Sequence, residues 1–189
     1  MDASRSLEEQ KARFRKQLRH KLNQLKPGER RRRSRKILAR LFRHPSFLKA
    51  CSVLTYVAIG SEVQTLPILH EMRKKGKKIY VPRVNSKKRQ IQMIELKNGK
   101  KLSPGTYGVP EPTLRKSRKE DPKELDLAII PGIGFDRRGV RLGRGMGYFD
   151  RFLKKAPKAY KIGLAFQCQI VKKLPYDQHD VMMDEVLIG

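Results

Sequence analysis

One seven-residue stretch combines alternating glycines with two arginines. Its residues are Arg141, Leu142, Gly143, Arg144, Gly145, Met146 and Gly147. Glycine lets a backbone curve tightly and bring its N–H groups close to an anion, while arginine supplies positive charge. The spacing therefore predicts a loop that can hold phosphate. A glycine-rich surface loop with solvated arginines is the alternative that composition alone leaves open.

A strand and a helix are predicted on the two sides of this glycine loop, which we define as residues 141–147. Residues 125–130 form a mostly apolar run bounded by Pro122 and Pro131, as in a buried strand. Residues 148–153 lose the glycines and regain apolar spacing, so a helix should begin there, and its N-terminal dipole would favour an anion. The loop lacks the Lys-Ser/Thr pair of a Walker loop, and no GxGxxG follows the strand.

Two cations on the first predicted helix could also face a phosphate chain. That helix covers residues 7–25, because apolar residues recur along one stripe at Phe14, Leu18, Leu22 and Leu25. Lys11 and Arg15 are four residues apart and therefore share one face of the helix. They could clamp phosphate together, or they could be two solvated cations on an exposed face.

A carboxylate is predicted at the carboxyl end of a strand. Residues 50–58 are rich in β-forming residues and are followed by a helix over residues 66–75, with Thr65 as its N-cap. Glu62 lies between the two elements, at the kind of strand end where open α/β sheets bind ligands. From the residues alone, Glu62 could also be a solvated loop carboxylate or a partner of the helix dipole.

The rest of the chain alternates strands with helices. A second helix is predicted over residues 27–42, and the further strands cover residues 76–84, 90–95, 160–166 and 186–188. Residues 97–114 are rich in glycine and proline and predict a loop. This order predicts an α/β fold, a three-layer α/β/α sandwich with a largely parallel sheet. We expect a single domain over residues 1–189, with the N-terminal helices of residues 1–45 packed on the α/β body.

Composition limits the classes of function. The 189 residues are 38% hydrophobic, enough for one core, and no run of eighteen apolar residues or secretory leader is present, so we expect a cytoplasmic protein without a membrane span. The formal net charge of +27 is compatible with a polyanionic small-molecule substrate, a thermophilic charged surface or RNA binding. Cys51 and Cys168 have no CxxC spacing and are predicted to be buried free thiols.

Residues 131–151 resemble the central motif of the 5-formyltetrahydrofolate cyclo-ligases, also called methenyltetrahydrofolate synthetases. The matching segments are Pro131-Gly132, Phe135-Asp136, Gly139, Arg141-Leu142-Gly143, Gly145, Gly147-Tyr148 and Asp150-Arg151. Phe149 departs from the motif, because tyrosine is commoner there, and it lacks the hydroxyl of that tyrosine. The resemblance extends to Lys11-x-x-x-Arg15, to the segment around Glu62, to residues 107–112 and to the segment His179-Asp180-x-x-x-Asp184-x-Val186. We interpret residues 107–112 as rigid loop architecture near the site.

The resemblance implies a fold, an activity and two cofactors. The fold is the one shared with ribose-5-phosphate isomerase and the coenzyme A transferases. The activity is the ATP- and Mg²⁺-dependent cyclisation of 5-formyltetrahydrofolate to 5,10-methenyltetrahydrofolate, with release of ADP and phosphate, through a phosphorylated formyl oxygen. The implied partners are a reduced folate and ATP, with no membrane, and a monomer is expected. Nucleic acid is not the partner that the resemblance favours, and the sequence leaves open whether the charge has a separate nucleic-acid role.

The resemblance also implies a role for individual residues. The nucleotide would be bound by Lys11, Arg15, Arg141, Leu142, Gly143, Arg144, Gly145, Met146, Gly147, Tyr148 and Phe149. The folate would be bound by Val57, Glu62, Arg144, Gly145, Met146, Gly147 and Tyr148. Arg144 and Tyr148 are the expected catalytic residues, and Asp150 and Asp184 the expected ligands of Mg²⁺.

Structural alternatives stay open for several of these residues. Val57 could be a core residue, and Tyr148 could be a packing aromatic with a hydrogen-bonded hydroxyl. Asp150 could cap the helix and Asp184 could be structural. Two other functions also stay open: a basic nucleic-acid-binding α/β protein, and a nucleotide-dependent enzyme that acts on another substrate.

Overall fold

The structure is a computed structural model that describes residues 3–96, 102–104, 110–112 and 120–189. Its helices are α1 (Ala3–Gln24), α2 (Pro27–Arg43), α3 (Pro45–Lys49), α4 (Leu66–Lys74) and α5 (Tyr148–Leu153). Its strands are β1 (Ser52–Thr55), β2 (Lys78–Asn85), β3 (Gln90–Glu95), β4 (Leu102–Pro104), β5 (Pro110–Pro112), β6 (Leu127–Ile130), β7 (Gly134–Asp136), β8 (Arg141–Leu142), β9 (Tyr160–Ala165), β10 (Ile170–Val171) and β11 (Glu185–Ile188). No helix in the described residues is long and apolar enough to cross a membrane.

A six-stranded sheet forms the centre of the fold, with the strand order β11-β9-β6-β1-β2-β3. Its first five strands are parallel, and β3 pairs antiparallel with β2. The crossover from β1 through α4 to its parallel neighbour β2 is a βαβ unit, as the predicted order of a strand at residues 50–58, a helix at 66–75 and a strand at 76–84 indicates. Because five strands run in one direction, the segments that follow β1 and β6 leave the sheet at the same edge, where open α/β sheets bind ligands.

Helices cover both faces of this sheet and give three layers. On one face, apolar residues of α1, α2, α3 and α4 pack against sheet residues such as Val53, Leu127 and Ile162. On the other face, Phe152 and Leu153 of α5 pack against Leu54 and Ala128. The predicted α/β/α architecture is therefore confirmed, and the solved structures described below have the same fold.

A small second sheet, with the order β10-β7-β8, begins immediately after β6 and was not predicted. Leu142 of this sheet packs with Leu18 of α1 and Leu174, so α1 closes over it. Gly139 forms the turn between β7 and β8 at φ +86°, and a side chain there would collide with the carbonyl oxygen of Met183. The hairpin fixes the position from which the glycine loop starts.

Three local predictions are corrected by the structure. Thr65 is the N-cap residue of α4, as predicted, but its side chain does not cap the helix, because its hydroxyl oxygen accepts a hydrogen bond from the N–H of Ala58 instead. Cys51 is a free thiol, but it is exposed because β1 starts one residue later, and Cys168 is only partly buried. The predicted loop over residues 97–114 contains the antiparallel pair β4 and β5. The rest of this loop, including residues 107–109 of the 107–112 element, lies outside the described residues.

Candidate functional site

A cavity of about 840 Å³ opens at the carboxyl edge of the large sheet. Its walls come from α1, from the segment between β1 and α4, from the glycine loop with α5, and from the apolar side chains Pro82, Val84 and Ile91 of the β2–β3 pair. This volume lies within the range of small-molecule binding sites. The cavity therefore brings together segments that are far apart in the sequence.

The structure brings all but one of the predicted site residues to this cavity. Those that line it are Lys11, Arg15, Val57, Glu62, Arg141, Leu142, Gly143, Arg144, Gly145, Met146, Gly147, Tyr148, Phe149 and Asp150. Val57 and Leu142 are also core residues, at 5% and 2% exposure, so each joins the wall of the cavity to a hydrophobic cluster. Asp184 is the exception.

Asp184 lies at the opposite edge of the sheet, which corrects the prediction that it shares a metal site with Asp150. Its carboxylate accepts hydrogen bonds from the backbone N–H and the Nζ of Lys161, near the amino end of β9. The physical reason is strand direction: Asp184 comes immediately before β11, and β11 runs parallel to β9. A residue that precedes a parallel strand lies at the amino edge, away from the carboxyl edge where the cavity is.

The glycine loop is held in a shape that side chains would not permit. Gly145 and Gly147 have φ angles of +102° and +61°, in the left-handed region that favours glycine. A Cβ atom on Gly147 would lie 2.7 Å from Nη1 of Arg151, and one on Gly143 would lie 2.7 Å from Nη1 of Arg141. Guanidinium groups thus occupy the space next to the loop that side chains would otherwise fill.

Arg141 and Asp150 form a buried ion pair at the floor of the cavity. Nη2 of Arg141 lies 2.8 Å from both carboxylate oxygens, and the two side chains are only 3% and 14% exposed. The guanidinium also lies over the ring of Phe149, 5.8 Å from its centroid. The Nε of Arg141 is buried and has no hydrogen-bond partner among the described residues. An anion with acceptor oxygens would satisfy that atom.

Lys11 and Arg15 both face the cavity from α1, as their spacing predicted, but each already has partners. Nε of Arg15 donates to the carbonyl oxygen of Gly143 at 3.1 Å, and Nη1 pairs with Glu8. Arg15 therefore shapes the glycine loop as well as adding charge. Arg19, one turn further along α1, also lines the cavity. Arg19 was not among the predicted site residues, although the spacing of four residues from Lys11 to Arg15 continues to Arg19.

Two carboxylates that the sequence analysis did not assign surround Lys11. Its Nζ lies 2.7 Å from Asp177 and 2.7 Å from Asp180, and its side chain is 8% exposed. Burial lowers the pKa of Lys11, but the two carboxylates outweigh burial and hold that pKa above its ordinary value. The hydrogen bond from Lys11 lowers the pKa of Asp177, although partial burial opposes it. Lys11 and Asp177 are therefore both charged at neutral pH.

The segment that carries Asp180 contacts Asp150, although the two residues are thirty positions apart. The backbone N–H of Val181, the residue after Asp180, points to Oδ1 of Asp150 at 3.3 Å. Within the described residues, no group of three or more potential metal ligands comes together. Two carboxylates are nevertheless what Mg²⁺ commonly takes from a protein when substrate phosphates and water complete its coordination.

Arg144 and Glu62 form an ion pair across the cavity mouth. Nη2 of Arg144 lies 2.7 Å from Oε1 of Glu62, and the arginine side chain is 52% exposed. The other oxygen of Glu62 accepts a hydrogen bond from the N–H of Ile59. Two residues that were predicted to bind ligands therefore bind each other. A ligand that binds either residue would have to break this ion pair and take the place of the other residue.

Arg151 joins the glycine loop to the β2–β3 turn. Its guanidinium donates to the carbonyl oxygens of Met146 and Arg89, and it lies 5.4 Å from the centroid of the Tyr148 ring. Arg89 has a φ of +48°, an unusual value for a residue other than glycine. Arg151 is the last residue of the motif, but the motif alone predicted no role for it. The structure shows that it holds two walls of the cavity together.

Asp136 supports the hairpin below the glycine loop, and its charge should matter for stability. The fully buried carboxylate accepts hydrogen bonds from the N–H groups of Arg138, Val140 and Leu174 and from the Arg138 guanidinium. Burial raises the pKa of Asp136, but these donors outweigh burial and hold it below its ordinary value of 3.8.

We expect Asp136→Asn to lower the free energy of unfolding by about 2–3 kcal/mol at pH 7, because the charge-assisted hydrogen bonds weaken. Since the folded-state pKa of Asp136 is depressed, the stabilisation is present above pH 3.8 and is lost as the pH falls through the folded-state pKa. Urea unfolding at several pH values measures this, with the exposed Asp121→Asn as control. The prediction would be contradicted if the difference in free energy of unfolding between Asp136→Asn and the unsubstituted chain stayed constant down to pH 2.

Comparison with known proteins gives consistent matches. The family model described as the 5-formyltetrahydrofolate cyclo-ligase family matches residues 7–189. The 5-formyltetrahydrofolate cyclo-ligase of Mus musculus is 32% identical over 92% of this chain and 91% of its own length. The solved structure of Aquifex aeolicus 5,10-methenyltetrahydrofolate synthetase superposes with a TM-score of 0.83 at 34% identity, over 94% of this chain and 89% of that one. A 5,10-methenyltetrahydrofolate synthetase from Mycoplasma pneumoniae has the same fold, with a TM-score of 0.75 at 24% identity over 94% and 97% of the two chains.

Proposed function

This chain belongs to the 5-formyltetrahydrofolate cyclo-ligase family, and we propose that it catalyses the ATP- and Mg²⁺-dependent cyclisation of 5-formyltetrahydrofolate to 5,10-methenyltetrahydrofolate. The observation that carries the proposal is the single cavity in which the glycine loop, the basic face of α1 and Glu62 meet. These are the residues that a nucleotide phosphate chain and a pterin ring would need. ADP and phosphate are the other products.

The residues of the cavity fit the phosphates of ATP. The unpartnered, buried Nε of Arg141 offers a donor without an acceptor, and three glycines let the backbone approach a ligand where side chains would block it. Arg15, Arg19 and Lys11 add charge from α1. We therefore propose that the phosphate chain lies between α1 and the glycine loop.

The carboxylates beside this position fit Mg²⁺. We propose Asp150 and Asp180 as the residues that would hold the ion, in place of the Asp150 and Asp184 pair predicted from sequence. Both line the cavity, and hard carboxylate oxygens together with phosphate oxygens suit the ion. The ion would neutralise phosphate charge, a role in which the protein contributes position and ligand geometry.

The folate would occupy the opposite half of the cavity. The carboxylate of Glu62 can accept hydrogen bonds from the N–H groups of a pterin ring, once Arg144 has turned away. Pro82, Val84 and Ile91 provide an apolar wall for the rest of the ligand. Tyr148 lies between the two halves, where its ring can pack against the folate.

The chemistry needs a better leaving group, because a formamide oxygen leaves poorly. In the proposed reaction the formyl oxygen accepts the γ-phosphoryl group of ATP. N10 then attacks the formyl carbon and loses its proton, and the phosphate leaves with the formyl oxygen. The protein contributes positioning and charge stabilisation. Arg144 would stabilise the charge on the transferred group, and Arg141 would hold the phosphates from below.

The experiment that tests this function follows the absorbance of the methenyl product after purified protein is mixed with 5-formyltetrahydrofolate, Mg²⁺ and ATP. We expect product only in the presence of ATP, with one ADP formed for each product molecule. A folded protein that binds ATP but forms no product would overturn the proposed substrate.

We also expect the two ligands to bind with positive coupling through Arg144. A phosphate that attracts Arg144 frees Glu62 for the pterin, so a non-hydrolysable ATP analogue should raise the affinity for 5-formyltetrahydrofolate. The Arg144 side chain of this pair is 52% exposed and the Glu62 side chain 19% exposed. Ion pairs at the surface contribute about 0.2–1 kcal/mol, so the expected increase in affinity is about 1.5- to 5-fold. Titration calorimetry measures it. An equally large increase in Arg144→Ala would show that the ion pair does not carry the coupling.

A further inference from the structure

The proposed enzyme function uses only a small part of the positive charge. Residues 10–49 contain sixteen lysines and arginines and a single acidic residue, Glu29. Of these cations, Lys11, Arg15 and Arg19 line the cavity, and Arg33 pairs with Glu29. The remaining charge in this segment needs a separate explanation.

A cationic surface lies on the outside of α2. We define the basic face as Arg31, Arg32, Arg35, Lys36 and Arg43. All five side chains are exposed, and none forms an ion pair within the part of the chain that the structure describes. At 100° per residue these five positions span about 140° of the helix circumference. The opposite side of α2, with Ile37, Leu38 and Leu41, is buried against the sheet.

Ion-pair networks do not account for this charge. Networks that stabilise proteins at high temperature alternate acidic and basic side chains. Here one acidic residue stands among sixteen cations, so the excess charges repel one another and lower the stability of the fold. Because this charged surface lowers the stability of the fold, we expect it to bind a negatively charged partner.

The shape and composition of the basic face favour a phosphate backbone over a membrane. A helix that binds a membrane inserts an apolar face with large side chains, but the apolar face of α2 is buried in the core. Large hydrophobic residues that are exposed in the described chain are Leu48, Leu66, Met146, Tyr176 and Met182, none of them on α2. Phe42 is the aromatic residue of α2 within this arc, but its ring is partly buried and lies 5.5 Å from the ring of Phe47, so it is not an open surface on which single-stranded bases could stack.

We propose that the basic face of α2 binds the backbone of double-stranded RNA without sequence specificity, as a second activity independent of the cyclo-ligase site. The 17-residue helix is about 25 Å long, enough to follow several phosphates of a duplex. Because one side of α2 is packed against the sheet, the helix cannot enter a deep groove. The wide and shallow minor groove of A-form RNA is bordered by phosphates, and it can be contacted by a helix that projects little from the protein surface.

The test compares two variants that lose the same charge at different places. One is Arg31→Gln, Arg32→Gln, Arg35→Gln and Lys36→Gln on the basic face. The matched control is Lys87→Gln, Lys88→Gln, Lys155→Gln and Lys158→Gln, whose exposed side chains belong to the β2–β3 turn and to the segment after α5. None of the eight residues lines the cavity. Both variants should therefore keep ATP-dependent product formation, which also shows that they are folded.

The probe is a fluorescent 24-base-pair RNA duplex, titrated at several salt concentrations. We expect the basic-face variant to bind the duplex at least about tenfold more weakly than the unsubstituted chain. The slope of log K against log salt concentration should decrease in magnitude by about 2–3, because each lost phosphate contact lowers that magnitude by about 0.9. The control should lose less than about threefold. Equal losses in both variants would overturn the proposal, as would equal or tighter binding to the DNA duplex of the same sequence or to phosphatidylserine vesicles.

Discussion

Replacing Arg144 with alanine is expected to lower kcat for ATP-dependent formation of 5,10-methenyltetrahydrofolate by about 100- to 1,000-fold. That is the usual effect of removing one donor that stabilises charge in a transition state. Arg144 is the glycine-loop cation placed at the mouth of the cavity beside Glu62, where it can turn from the carboxylate to a transferred phosphoryl group. The absorbance of the product, measured at saturating ATP and folate, gives kcat.

Arg137 offers a matched control for Arg144. It lies in the same motif and is exposed, but it does not line the cavity. Arg137→Ala should therefore keep nearly full activity. If Arg144→Ala kept more than about a tenth of the unsubstituted kcat, the proposed role of Arg144 at the reacting group would be wrong.

Replacing Asp150 with alanine is expected to remove activity and to lower the free energy of unfolding by about 3–5 kcal/mol. The stability loss follows because the guanidinium of Arg141, 3% exposed, would be left as a buried charge without its partner. The activity loss follows because Asp150 is one of the two carboxylates that we propose for Mg²⁺. Urea unfolding measures the stability, and product absorbance measures the activity.

Two further variants separate the roles of Asp150. Asp150→Asn keeps the shape of the side chain, so it should be folded by circular dichroism and yet form product at least about 100-fold more slowly. Asp184→Ala removes the carboxylate at the opposite edge of the sheet and should keep its activity. If instead Asp184→Ala were inactive while Asp150→Asn was active, the assignment of the metal carboxylates to the carboxyl edge would fail.

The parts of the site that the sequence predicted depend on short-range patterns. The alternation of Gly143, Gly145 and Gly147 is a local constraint on the backbone, so it is visible without a structure. The spacing of Lys11 and Arg15 predicts a shared helix face in the same way. The alternating order of strands and helices likewise predicted the parallel sheet, because a βαβ crossover leaves few other arrangements.

The parts that the sequence missed depend on contacts between distant segments. Lys11 meets Asp177 and Asp180 across 166 and 169 positions, and no local pattern marks those two residues as partners of a lysine. The β7–β8 hairpin was missed because strands of two and three residues are too short to show a period. The position of Asp184 follows from strand direction, because a residue that precedes a parallel strand lies at the amino edge of the sheet.

The measurement that tests the central claim most directly uses 5-formyltetrahydrofolate labelled with ¹⁸O in the formyl group. If the formyl oxygen accepts the γ-phosphoryl group of ATP and leaves with it, mass spectrometry of the released phosphate will show one ¹⁸O atom for each molecule of methenyl product. Unlabelled phosphate, or methenyl product formed at the same rate without ATP, would contradict the account. Unlabelled phosphate would mean that ATP hydrolysis is not coupled to ring closure through the formyl oxygen. Product formed without ATP would mean that the reaction does not use a phosphate bound in the cavity.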